Sequence, residues 1–187
     1  AIQLLRQSDS ADAGDEILAR DKEVDAFEQE VRRKVLTHCS VNSGSDLVGS
    51  MMLVTIVIDI ERIGDYTKNI ISLARSYPSR LEGGSLEPDL VRIEATVVEN
   101  FDRTRAALED SNEELAHEVL KETSWLSKLC DERVHDLVAG NVEDVTANQS
   151  TALALYFRQL KRVNSHLGDV ATAVVNPFDR IGFKPKD

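Results

Sequence analysis

Cysteine is scarce: only Cys39 and Cys130 occur in 187 residues, with no CxxC pair, and two thiols cannot supply a disulfide framework. The expectation is a pair of small buried or half-buried thiols in a reducing interior, which points to the cytoplasm. Proline (4) and glycine (9) are few enough to allow long uninterrupted helices. Long apolar runs are missing too. The longest, Met51 to Ile60, carries Asp59 and is about half of what a membrane span needs, so no direct membrane insertion is expected. No secretory leader is recognisable, and the opening phrase Ala1-Ile2-Gln3-Leu4-Leu5 reads as an incomplete helical element. Positive charge is in deficit, with 22 Lys and Arg against 33 Asp and Glu and a net charge of −11. Such a surface repels phosphate backbones, which excludes nucleic acid as a partner and favours cations.

What is present is helical periodicity. The first long helix is expected from Ser10 or Asp12 to about Thr37, with Ile17, Val24, Phe27, Val31 and Val35 on one stripe. Val41-Asn42-Ser43-Gly44 breaks it. The next helix should run from Ser45 to Ser76; Met51 to Ile58 is rich in β-branched residues, but the helical period continues through Ile63, Ile70 and Leu73. Residues 78–88 hold two prolines and a Gly-Gly pair and read as a linker. Helices are expected after it at Asp89 to Leu108, Ser111 to Val138 and Val142 to Val175, with Ser111 and Glu114 as a capping box, Gly140 as a stop and an irregular tail over 176–187.

The two halves repeat. Glu61-Arg62-Ile63-Gly64-Asp65-Tyr66 and Lys161-Arg162-Val163-Asn164-Ser165-His166 lie 100 residues apart, and Leu53, Val57 and Ile60 correspond to Leu153, Phe157 and Leu160. The expected division is a first repeat over 1–77, incomplete in its first helix, and a second over 89–175.

Residues four apart share a helix face, so Glu61 with Asp65 and Asp21 with Asp25 each present two carboxylates side by side. If their helices pack antiparallel, the four converge. At ~5 Å and an effective dielectric of ~20, each like-charge pair costs roughly 3 kcal/mol, which a bound cation would relieve. All-oxygen ligation suits hard ions such as iron, manganese, magnesium or calcium. The competing reading is a set of solvated surface acids. Along the same helix, Leu47, Met51, Val54, Ile58, Glu61 and Asp65 form one stripe, expected as an exposed apolar ridge ending in acids. Leu53, Val57, Ile60, Gly64, Thr67, Ile71 and Ala74 form a second stripe, expected as the core seam.

The segment Asp59-Ile60-Glu61-Arg62-Ile63-Gly64-Asp65-Tyr66-Thr67-Lys68-Asn69-Ile70 resembles the signature of PhoU proteins, regulators of phosphate uptake and signalling. The resemblance implies an all-α fold, a tandem repeat of antiparallel three-helix bundles. It also implies a metal cofactor, iron or another divalent or trivalent cation, held by Asp21, Asp25, Glu61 and Asp65. Its implied partner is a phosphate transporter or sensor-kinase component, with a homodimer also allowed. In the second repeat Lys161 and Ser165 replace the acid pair, and Glu122-Thr123-Ser124-Trp125-Leu126 stands at the first motif. No second cluster is expected there, and the basic spot of Arg158, Lys161 and Arg162 should pair with neighbouring acids.

Enzymatic alternatives are weaker. Glu114-x-x-His117 and Glu132-x-x-His135 resemble di-iron motifs but fall on one helix about 27 Å apart, so both histidines are expected at the surface. No nucleophile motif or phosphate loop occurs. The lone Trp125 is expected to be a packing residue. A regulator and not an enzyme is expected, with the cytoplasmic portion of a sodium/phosphate transporter and a carboxylate-bridged metalloenzyme as alternatives.

Overall fold

The computed structural model describes residues 1–7, 11–42, 46–77 and 79–185, and of residues 11–13 and 17 the backbone alone. Six α-helices account for the regular structure, and no strand occurs among the described residues: α1 (Ile2–Gln7), α2 (Ala11–Val41), α3 (Leu47–Ser76), α4 (Glu87–Asp110), α5 (Glu113–Ala139) and α6 (Ala147–Val175). The β-branched run Met51 to Ile58 is helical throughout, because its burial on one side of a long helix outweighs local strand propensity. The expected cap at Ser10, the break at Ser43-Gly44, the start at Ser45, the stripe position of Ile17 and the linker residue Pro78 lie outside what is described.

Helix ends follow from capping chemistry. Asp46 accepts from the Gly49 amide at 2.8 Å to start α3. The box expected at Ser111 and Glu114 is displaced by one residue: Asn112 caps α5 by accepting from the Leu115 amide, while Ser111 closes α4 in the left-handed region with φ 50°. The αα-corner needs that left-handed residue between the two helices, so Ser111 cannot also serve as an N-cap. The capping box falls at α6, between Thr146 and Gln149. Gly140 ends α5 with φ 73°, as expected.

The second group of helices, α4 to α6, encloses a core in which Leu153, Phe157, Leu160 and Leu167 of α6 are all buried, the seam expected there. Asn164 interrupts it without a loose end: its oxygen accepts from Asn100 at 2.9 Å and its amide donates to Thr123 Oγ1 at 3.0 Å. The same core takes in Leu5 of α1 and Ile63 and Ile70 of α3, so one apolar interior crosses from the first helices into the second group. Segment 79–86 is anchored within it. Leu81 is fully buried with its amide on the Leu5 carbonyl at 3.1 Å, and Ser85 donates from backbone and hydroxyl to Asp144. Gly84 has φ 56°, and a Cβ there would come within 2.8 Å of that same Asp144 carboxylate.

On α3 the core seam differs from expectation. Val57 and Ile71 are buried, but Leu53 and Ile60 are exposed, and Ile56, Ile63 and Ile70 carry the interior. The reason lies in the neighbours. α6 is covered by α3, α4 and α5, whereas α3 meets α2, α6 and a six-residue α1 that reaches only its C-terminal half. The equivalents of Leu153 and Leu160 therefore have nothing over them. On α2, Val24, Val31 and Val35 are half-buried as expected, but Phe27 is exposed and Glu28 takes the inward place.

Candidate functional site

α2 lies along α3 with Asp21, Val24, Glu28 and Val31 on its inner face, a 3-4-3 spacing that follows the helical period. Gly64 on α3 faces this row: a Cβ there would meet Val24 Cγ1 at 3.7 Å and Asp21 Oδ1 at 3.9 Å, so the absent side chain lets α2 approach the acids. Lys68 reaches across, its Nζ 2.7 Å from Asp21 Oδ2 and 3.0 Å from Asp65 Oδ1. Those hydrogen bonds hold the Lys68 ammonium well above the usual lysine range. Glu61 lies one turn back. Burial and the neighbouring Asp65 carboxylate raise its carboxyl above the ordinary range, Arg62 opposes the rise, and Glu28 adds to it. Arg62 stands 3.7 Å from Glu61 and 3.6 Å from Asp65.

Of the four acids singled out from sequence, the structure gathers Asp21, Glu61 and Asp65 along the α2–α3 groove. Asp25 is exposed, because a step of four from Asp21 turns it past the groove, whereas steps of three and seven keep Val24 and Glu28 inside. Two groups at this site went unread from sequence, Glu28 and Lys68. The signal for Glu28 was its seven-residue step from Asp21. Lys68 offered one too, three residues past Asp65 on the same helix.

In the second half, Lys161 alone of the basic spot pairs with a neighbouring acid among the described residues, Asp131 at 2.6 Å. Arg162 donates to Tyr66 Oη at 2.9 Å and its guanidinium lies over the Tyr66 ring at 5.2 Å. Trp125 packs against the core beneath the Arg92 guanidinium, with its indole N–H on Glu122. His117 and His135 are both exposed on the single helix α5. Cys130 is buried, and that burial pushes its thiol up to about 12.

A second group of titratable residues lies between α3 and α6. Asp59, His166 and Asp169 come together, with His166 Nδ1 at 2.9 Å from Asp59 and 3.8 Å from Asp169. Burial and the facing Asp59 carboxylate push Asp169 up to about 6. Sequence spacing could not show this group, since 107 residues separate Asp59 from His166.

Two groups of antiparallel helices sharing one interior, with a carboxylate-lined groove on the first, define an all-α helical-bundle repeat protein. No helix among the described residues is long and apolar enough to cross a membrane. Residues 1–74 match the PhoU domain. An uncharacterized protein of Deinococcus radiodurans is 25% identical over 174 residues, covering 91% of this chain and 77% of its own length.

Proposed function

We propose that the protein is a PhoU-like regulator of phosphate transport or signalling that works by protein–protein contact and binds a metal ion at the α2–α3 groove. The observation that carries this reading is the convergence of Asp21 and Asp65 on a cation, here the Lys68 ammonium, at 2.7 Å and 3.0 Å, with Glu61 next to Asp65 one turn back. The donors are all oxygen, and the Glu61 carboxyl, raised first by burial and then by the neighbouring Asp65 carboxylate, would be relieved by a hard cation. Asp21, Glu61 and Asp65 would hold the ion, with Asp25 and Glu28 close along α2 and Lys68 swinging out to solvent. The ion would supply a fixed positive charge that ties α2 to α3.

A ligand that binds only the folded state at a hundredfold excess over its Kd adds about 2.7 kcal/mol of stability. Chelator added to metal-loaded protein is therefore expected to lower Tm by several degrees, and Glu61→Ala should abolish the response. A preparation shown to contain metal whose Tm ignores chelator would refute the metal role.

The partner surface is the α3 ridge. Met51 is 40% exposed and Ile58 37%, seven residues apart on one stripe of α3. Apolar neighbours left uncovered in this way mark interfaces. The partner in this reading is a transporter or sensor-kinase component, and the place of action is the cytoplasm. Met51→Lys with Ile58→Lys should weaken association at least tenfold in analytical ultracentrifugation or pull-down against such a component, with the helical circular dichroism unchanged. Loss of the helical signal instead would show that the ridge is interior.

A further inference from the structure

The group between α3 and α6 has a chemistry unlike the groove, and does not depend on it. One imidazole and two carboxylates converge from two helices, all three side chains largely shielded: His166 is 12% exposed, Asp59 17% and Asp169 36%. A protonated imidazole could balance only one of the two acids. Arg162 acts on Asp169 from further off but is itself engaged by Tyr66. The ring is held in place before any ligand arrives, because Tyr66 stacks on it with centroids 5.6 Å apart and planes 18° from parallel. The Asp59 carboxylate 2.9 Å away accepts a hydrogen bond from Nδ1, while Nε2 is buried without a hydrogen-bond partner among the described residues, so an ion that takes the proton's place at Nδ1 sends that proton to Nε2 or to solvent.

We propose that Asp59, His166 and Asp169 form a site for a divalent first-row transition-metal ion. The spacings of 2.9 Å and 3.8 Å from Nδ1 to the two carboxylates each suit a pair of donors about 2.1 Å from one ion, subtending angles of roughly 90° and 130°, and the three ligand atoms lie within 4.8 Å of one another. Three protein ligands of mixed nitrogen and oxygen leave further coordination positions to water or a small anion. Asp169 also lines a neighbouring cleft of about 730 Å³, together with Ser165, Thr172, Lys121 and Lys184. Charge argues the same way, since a dication offsets both carboxylates where the imidazolium offsets one.

The experiment is a Zn²⁺ titration of metal-stripped full-length protein carrying Glu61→Gln and Asp65→Asn, so that the α2–α3 groove does not contribute. Calorimetry is expected to give one Zn²⁺ per chain. His166→Gln and Asp169→Asn, each added to that background, should weaken binding at least tenfold. Co²⁺ in place of Zn²⁺ should give visible absorption bands that His166→Gln shifts. Each variant's thermal melt verifies folding; if His166→Gln does not fold, Asp169→Asn and the Zn²⁺-dependent shift of the His166 imidazole nitrogens in NMR decide the matter. Absence of Zn²⁺ binding in the groove-disabled protein, or binding indifferent to both substitutions, overturns the site and leaves an ordinary Asp59–His166 ion pair. Neither result bears on the groove, which is tested separately by Glu61→Ala.

Discussion

Replacing Arg6 by alanine is expected to destabilise the protein by about 3 kcal/mol or more, read as a fall in the urea midpoint. Arg6 is almost wholly buried, although α1 is only six residues long. Its guanidinium donates to the Leu81 carbonyl and to Glu87 and lies 3.1 Å from Glu94, so one side chain ties α1 to the interrepeat segment and to α4. Removing it leaves the largely buried Glu94 carboxylate with only the Tyr156 hydroxyl at 2.7 Å. Burial already holds the Glu94 carboxyl above its ordinary range, while Tyr156 and Arg6 pull it down. Without Arg6 it rises further. A carboxyl whose folded value lies above its unfolded one binds protons more readily when folded, so it opposes folding increasingly as pH rises through that folded value. The penalty of Arg6→Ala should therefore be largest near neutrality and shrink on acidification, and Glu94→Gln in the same chain should recover much of it. A penalty that does not change with pH would show that lost packing, not the stranded carboxylate, is the cause.

Asn164→Ala is expected to cost about 2–4 kcal/mol, because it strands the buried Asn100 amide and removes a donor from the half-buried Thr123 hydroxyl. Asn100 loses the acceptor for its amide and Thr123 loses a donor, on α4 and α5 respectively. Both Asn100 and Asn164 are fully buried, so water cannot substitute at either. The contrast is Asn100→Leu together with Asn164→Leu, which removes the facing polar pair and should cost less than the single alanine change. Thermal melts of the two variants, measured side by side, test this; the reverse order would mean that fit inside the core outweighs hydrogen bonding.

How much of this was legible from sequence varies with the range of the interaction. The fold class followed from period alone, since few breakers interrupt long apolar stripes. On α6 the stripe named the buried residues, and Asn164 stood out as its polar interruption. Its partners did not, lying 64 and 41 residues away on other helices. On α3 the same stripe misplaced Leu53 and Ile60, because burial depends on what covers a face, and a sequence stripe does not report its cover. Arg6 read as part of an unremarkable opening phrase; only the return of the chain at Leu81 and Glu87 makes it a buried tie. In the α2–α3 groove, the three acids that converge were read from i,i+4 spacing. That spacing also drew in Asp25, since two residues four apart share a face only approximately and a groove is narrower than a face.

Tyr66 and His166 hold the same place in the two halves and rest on one another. Contact between equivalent positions is what one half would make with a second copy of itself about a two-fold line. In such a pairing every change is made twice, and each ring faces its own kind. Joined in one chain, the two sides are free to diverge. Here they have done so: an imidazole stands against a phenol, and Asp59 has Gln159 as its equivalent. The carboxylate and the imidazole thus meet in one of the two equivalent pairings, Asp59 with His166, while Gln159 and Tyr66 at the corresponding positions carry neither group.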